Sequence, residues 1–221
     1  MQLALLGGTG DIGEGIALRV ARGTDHAVVV GSRDADKAAD AASSYADTLA
    51  DHGVDADVTG ASNPDAAAGA DVVVLAVPAY HLTDTIDAVA DDLGEAVLVS
   101  PAVGMKRDED GMQYNPPGVG SVTQLAAANA PDDVPVVGAF HNLAAGRLAD
   151  LDADPDWDVP VVGDDDAAKG TVTDLVGELD GLRPLDAGGL GNAAEVESLT
   201  PLLINLASNN EGLHDLGVKF W

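Results

Sequence analysis

Gly8, Gly10 and Gly13 stand at G-x-G-x-x-G spacing within the opening run Met1-Gln-Leu-Ala-Leu-Leu-Gly-Gly-Thr-Gly-Asp-Ile-Gly13. The chemistry such glycines offer comes from what they lack. Gly8 allows a tight turn, Gly10 lets backbone approach a pyrophosphate, and Gly13 lets a helix pack on a strand. Thr9, Asp11 and Ile12 fill the intervening positions. Glycine clusters also mark ordinary turns, so the flanking elements carry the reading. Gln2 to Leu6 read as a short buried strand and Glu14 to Ala21 as a helix, the context a dinucleotide site requires. The unpaired amides and dipole at a helix start favour a bound phosphate.

A second set follows at Gly31-Ser32-Arg33, after a strand read over His26 to Val30. An NAD site would place an acidic residue near this strand end to bond the ribose 2′-hydroxyl. Here Gly31 leaves room, Ser32 supplies a hydroxyl and Arg33 a guanidinium, with Lys37 one helical turn on. A hydroxyl and two cations around one point suit a 2′-phosphate, so NADP is preferred over NAD. The competing reading pairs Arg33 with Asp34 or Asp36 on the surface.

Farther on, Asp71-Val-Val-Val-Leu-Ala-Val-Pro78 is nearly continuous apolar sequence, as a strand buried on both faces requires. It delivers Pro78, Ala79 and His81 to the carboxyl edge of the sheet, where ligands gather. Val134 to Phe140 read as another strand, which brings His141-Asn142-Leu143-Ala144-Ala145 to the same edge. His141 is a candidate to orient a reacting ring, or else a histidine bonded to backbone. Between them, Pro101 to Gly118 read as a long loop, and Lys106-Arg107 in it either meet an anion or pair with Asp108 to Asp110. Asp164-Asp165-Asp166 begin a helix and complement its dipole, since consecutive residues there do not converge on a metal.

These residues need an α/β frame: a Rossmann-type doubly wound parallel sheet over residues 1–146 and a small carboxy-terminal α/β domain over 147–221. In the latter, Asn192 to about Asn210 read as one long apolar helix kinked at Pro201, followed by the apolar tail Leu216-Gly-Val-Lys-Phe-Trp221. That tail reads as docking in a site or a subunit interface, which allows a homodimer, or else as packing on the core. No cysteine is present, which excludes disulfides and thiolate chemistry. No apolar run reaches membrane-spanning length and no leader is evident, so a soluble cytoplasmic protein is expected. The net charge is −28, from 38 acidic and 10 basic residues. Apolar content of 46% with regular periodicity argues for a folded domain under an acidic surface suited to high salt, resembling the composition of extreme halophiles. That surface disfavours a nucleic-acid partner.

Several blocks are specific enough to resemble a family. Leu5-Leu-Gly-Gly-Thr-Gly-Asp-Ile-Gly13, Gly31-Ser-Arg33, Trp157-Asp-Val-Pro-Val-Val-Gly-Asp-Asp-Asp166, Asp180-Gly-Leu-Arg-Pro-Leu-Asp-Ala-Gly188, Glu197-Ser-Leu-Thr-Pro201 and Leu216-Gly-Val-Lys-Phe220 resemble the F420-dependent NADP reductases of archaea. The resemblance covers essentially the whole chain. It implies hydride exchange between the deazaflavin coenzyme F420 and NADP. It also implies that Thr9 to Ile12 contact the pyrophosphate, that Ser32, Arg33 and Lys37 hold the 2′-phosphate, and that Pro78 and Ala79 flank the nicotinamide ribose. His141 and Leu143 would lie against the deazaflavin, Ala145 close to the nicotinamide, and Leu216 against F420. Asp11, Ala79, Asn142 and Ala144 depart from the family's pattern. Two other readings use the same fold. One is an NADP-dependent reductase of a small carbonyl or imine, with His81 or His141 as proton donor; the other is a non-catalytic NADP sensor.

Overall fold

Strands buried on both faces need helices on both sides, and the computed structural model, which describes residues 1–221, has that architecture. Its first half alternates β1 (Gln2–Leu6), α1 (Asp11–Gly23), β2 (Ala27–Ser32), α2 (Ala35–Asp51), β3 (Val58–Ser62), α3 (Asn63–Ala67), β4 (Val72–Leu75), α4 (Leu82–Val89) and β5 (Val97–Ser100). A hairpin of β6 (Met105–Asp108) and β7 (Gly111–Tyr114) precedes α5 (Val122–Asn129), β8 (Val136–Gly138) and α6 (Ala145–Ala149). The chain finishes with β9 (Trp157–Gly163), α7 (Asp166–Gly177), β10 (Leu182–Asp186), α8 (Ala193–Glu197) and α9 (Leu199–Asn209).

Eight strands form one sheet in the order β10-β9-β8-β5-β4-β1-β2-β3. All neighbours run parallel except β8 and β9. The order reverses at β1, which pairs with β2 on one side and β4 on the other. Such a reversal opens a crevice at the carboxyl ends of the two strands. Alternation along β1 feeds two cores: Leu3 and Leu5 join the layer with α1 and α7, whereas Ala4 and Leu6 join the layer with α3 and α4. Val159, Val161 and Leu175, from beyond residue 146, belong to the first of these cores. The last two strands therefore extend the same sheet.

Two elements differ from the sequence reading. Pro101 to Gly118 contains the β6–β7 hairpin, turned at Glu109 and Asp110, with Gly111 opening β7 at φ +117°. Asn205 of α9 pins it, accepting from the Met112 amide at 2.8 Å and donating to the Met112 carbonyl at 2.7 Å. The helix expected over Asn192 to Asn210 is broken at Ser198. Pro201 lies in the first turn of α9, where a missing N–H goes unnoticed, so the break comes before the proline. No helix is long and apolar enough to cross a membrane.

Candidate functional site

The glycine loop folds as it does because side chains would collide. A Cβ on Gly8 would stand 2.7 Å from the Leu5 carbonyl oxygen, and one on Gly13 would stand 2.5 Å from Gly8 Cα. A Cβ on Gly10 would meet nothing closer than 3.5 Å. Gly10 is thus the open position, and it caps α1 with no side-chain hydrogen bond. Gly10, the residue that precedes α1, lines a cleft together with Gly7 and Thr9, so the helix starts at the edge of that cleft, where free amides favour an anion. Two contacts hold the loop: the amides of Gly7 and Gly8 both donate to Gly31 O at 3.0 Å, and Tyr45 Oη of α2 donates to Gly8 O at 2.9 Å. Burial, with Glu14 and Asp11 nearby, pushes the Tyr45 phenol up to about 12, so it stays a donor.

The cleft has a volume of about 330 Å³. Gly10 and Thr9 of the glycine loop line it, with Ser32 and Arg33 from the end of β2 and Pro78 and His81 from the segment that leads into α4. Arg33 is exposed and makes no ion pair, so the competing surface pairing with Asp34 or Asp36 is not formed. Asp34 instead caps α2 through the amides of Asp36 and Lys37. Lys37 is 74% exposed, 4.0 Å from Asp34, and does not line the cleft. Asp11 is exposed and makes no side-chain bond, and Ile12 packs against the core. Ala79 faces a separate hollow beside Gly104 and Met105. Asn63, at the start of α3, lines the cleft as well, with its buried Oδ1 lacking a partner. Sequence reasoning passed over Asn63 and Tyr45, although each lies where a neighbouring element meets the loop.

A second pocket of about 290 Å³ lies where the chain leaves β8. Leu143 and Ala145 form one wall, Thr200, Leu203 and Ile204 of α9 another, and Leu216 of the tail a third. Phe140, buried and at φ +67°, turns the backbone from β8 into this wall. A bulky residue in the left-handed region is a costly conformation that recurs at functional sites. Thr200 Oγ1 ties the walls together by donating to His141 O at 2.6 Å. The tail is clamped by Asp158, whose carboxylate accepts Arg183 Nε and an Arg183 terminal nitrogen at 2.7 Å each and the Phe220 amide at 2.6 Å. Arg183, and secondarily the Phe220 amide, hold the Asp158 carboxyl below its ordinary range.

His141 lies beneath this second pocket, buried, and its side chain is not part of the lining. Its Nε2 meets Thr123 Oγ1 at 3.2 Å, and its Nδ1 has no partner. Burial alone pushes the imidazole down to about 3. Buried and absent from the lining of either pocket, the ring is poorly placed to deliver a proton to a bound substrate. Lys106 and Arg107 stand exposed on β6 and form no ion pair with Asp108 to Asp110. A third hollow, about 360 Å³ at the far end of α1, is lined by Arg19 and Arg22. There Arg19 is occupied by the carbonyls of Arg147, Leu148, Asp150 and Ala153, and Arg22 by that of Leu151.

Residues 2–104 match the family described as NADP oxidoreductase, coenzyme F420-dependent. The chain is 38% identical over 209 residues to the F420-dependent NADP reductase of Methanocaldococcus jannaschii, covering 93% of this chain and 92% of that one. It is 38% identical over 222 residues to the enzyme of the same name from Methanothermobacter thermautotrophicus, covering 99% and 94%. A solved structure from Arthrobacter sp. FB24, named there as a proposed F420-dependent NADP-reductase, superposes with a TM-score of 0.80 at 27% identity, covering 100% of this chain and 99% of that one. With a glycine-loop cleft, a second apolar pocket and full-length similarity to these reductases, the chain belongs to the F420-dependent NADP reductase family.

Proposed function

We propose that this chain transfers a hydride between reduced coenzyme F420 and NADP, with the nucleotide in the glycine-loop cleft and the deazaflavin against the apolar pocket. The two cofactors supply the redox chemistry, and the protein supplies binding, orientation and exclusion of water. The residues present suit both. Gly10 and the start of α1 offer amides to a pyrophosphate, with no Cβ in the way. Ser32 and Arg33 offer a hydroxyl and an unpaired guanidinium to a 2′-phosphate, with Lys37 one turn away to add to the local field. Pro78, which lines the same cleft, would border the nicotinamide ribose. Leu143 and Leu216 would present apolar surface to the deazaflavin, and Ala145, on the same wall, would lie close to the nicotinamide. His141 acts from below, setting the backbone of that wall. Residues 1–146 would thus serve chiefly the nucleotide, and 147–221 chiefly the deazaflavin.

The observation that carries the nucleotide assignment is Arg33, a free cation at the strand end in a chain of net charge −28. Arg33→Ala should weaken NADP binding roughly 10- to 100-fold, as expected for a charge-assisted contact of ~1.5–3 kcal/mol, and leave NAD nearly unchanged. Titration of both nucleotides at constant salt checks it. Equal losses would assign Arg33 to the fold. Reduction of a small carbonyl or imine by proton donation from His141 is disfavoured by that residue's burial and its absence from the lining of either pocket.

A further inference from the structure

Of 38 acidic side chains only two are buried, Asp158 and Glu197. Asp158 has Arg183. Glu197, the last residue of α8, makes no ion pair. A buried carboxylate without a cation needs several donors, and Glu197 has four. Its Oε2 accepts Tyr114 Oη at 2.9 Å and the Val122 amide at 3.0 Å. Its Oε1 accepts the Thr123 amide at 2.9 Å and Thr123 Oγ1 at 2.9 Å. Val122 and Thr123 open α5, so the positive end of that helix faces the carboxylate. One side chain thus joins α8, the β7 strand and α5.

The network reaches the second pocket by two routes. Glu197 can only accept, so Thr123 Oγ1 must spend its proton there. The lone pair it has left faces His141 Nε2, which must therefore carry the ring proton. His141 is held in one tautomer and one orientation, directly before Asn142, Leu143, Ala144 and Ala145 on the pocket wall. On the other route Glu197 anchors α8, and three residues on, Thr200 of α9 grips the His141 carbonyl at 2.6 Å. Both walls are referred to the same carboxylate.

We propose that Glu197 is a positioning residue for the deazaflavin half of the reaction, acting through Thr123 and His141 on one wall of the pocket and through Thr200 on the other. This rests on the assignment of F420 to that pocket. None of its links touches the nucleotide cleft, so its influence should fall on one cofactor. A merely structural latch would affect both through stability.

The test compares steady-state parameters for F420 and NADP in the full-length protein. Glu197→Gln keeps the shape but turns one end of the group into a donor facing two donors. It should lower kcat/KM for F420 about 100-fold and leave the NADP dissociation constant within about threefold. Thr123→Val keeps the amide bond to Glu197 and deletes only the hydroxyl relay. It should raise the F420 KM about tenfold, in keeping with one buried hydrogen bond, with NADP within about twofold. If Glu197→Gln does not fold, Thr123→Val carries the test alone. Equal changes for both cofactors, or an unchanged F420 KM in Thr123→Val, would overturn the proposal. Leu216→Trp, which fills the pocket, separates the premises. If it leaves the F420 KM unchanged, F420 binds elsewhere and both readings fall. If it raises that KM while the Glu197 and Thr123 variants do not, the positioning role alone fails.

Discussion

The two pockets are built by different means. The glycine-loop cleft is made mainly of strand ends and the turns directly after them: Gly7, Thr9 and Gly10 after β1, Ser32 and Arg33 at the end of β2, and Ala76 to Pro78 after β4. Backbone holds it in shape, through the bonds from Gly7 and Gly8 to Gly31. The second pocket is assembled from segments far apart in the chain. Thr200 reaches back 59 residues to His141, Glu197 holds Tyr114 across 83, and Phe220 meets Asp158 across 62. The first site is a property of local backbone geometry. The second depends on two buried carboxylates in an otherwise solvated acidic complement. Damage to the first should be steric and local, and damage to the second electrostatic and distributed.

The largest effect should come from the steric side. Gly13→Ala places a Cβ 2.5 Å from Gly8 Cα and 2.8 Å from Gly8 C and O, all of them backbone. Nothing there can rotate away. Overpacking typically costs ~1–3 kcal/mol, and with only backbone in the way the upper end is expected here, where the strain falls on the loop itself. Nucleotide affinity should drop at least as steeply as in Arg33→Ala, and for NAD as much as NADP, because the pyrophosphate end is common to both. Calorimetric titration with each nucleotide reads this. A discriminating loss, heavy for NADP and light for NAD, would contradict the picture of a backbone cradle.

Asp158→Asn tests the electrostatic side. The substitution keeps the shape but strips charge from Arg183 and from Lys219, 3.7 Å away. Breaking a buried pair costs ~3–5 kcal/mol, but Arg183 is half exposed and can be solvated, so about 2–3 kcal/mol is expected. The tail should loosen. Gly217 packs on the Trp157 ring and Leu216 borders the second pocket, so the F420 KM should rise while NADP affinity holds. Proteolysis within residues 210–221 should quicken. If instead NADP affinity fell with it, the two pockets would not be separable.

The same contrast explains what could be read from sequence. The apolar β1 and β4, the glycine spacing and the strand-end Ser32-Arg33 are local patterns, and local patterns specified the sheet and the cleft. The β6–β7 hairpin was hidden because its segment is glycine- and proline-rich and exposed, and what orders it is Asn205, 93 residues downstream. The break at Ser198 was misplaced because a proline draws attention to itself, although the first turn of a helix accommodates one. Tyr45 and Asn63 act only once α2 and α3 have folded onto the sheet. Glu197 is one carboxylate among 38, and nothing in its immediate neighbours distinguishes a buried acid from a solvated one. His141 was legible as a strand-end histidine. Its burial followed from the Phe140 turn, which sequence does not announce.

The smallest predicted effect concerns the proton His141 does not take. In the folded chain its pKa is depressed to about 3, whereas in the unfolded chain it returns to 6.5. Between those values the unfolded state binds a proton that the folded state refuses. Acidification therefore favours unfolding. The sign is that of a depressed group: stability is fully present above pH 6.5 and drains away as pH falls toward 3. Each unit below 6.5 costs about 1.4 kcal/mol, so at about pH 5 the loss from this residue is about 2 kcal/mol. Other titrating groups move over the same range, and lowering a net charge of −28 eases repulsion. A difference against His141→Gln removes those shared contributions, since Gln can still donate to Thr123 but does not titrate. Denaturant unfolding of both proteins at about pH 7.5 and pH 5, at constant salt, should show wild type losing about 2 kcal/mol more than the variant. Parallel losses would mean that His141 is hydrated or charged in the folded protein. The neutral tautomer that links Thr123 to the pocket wall would then be wrong.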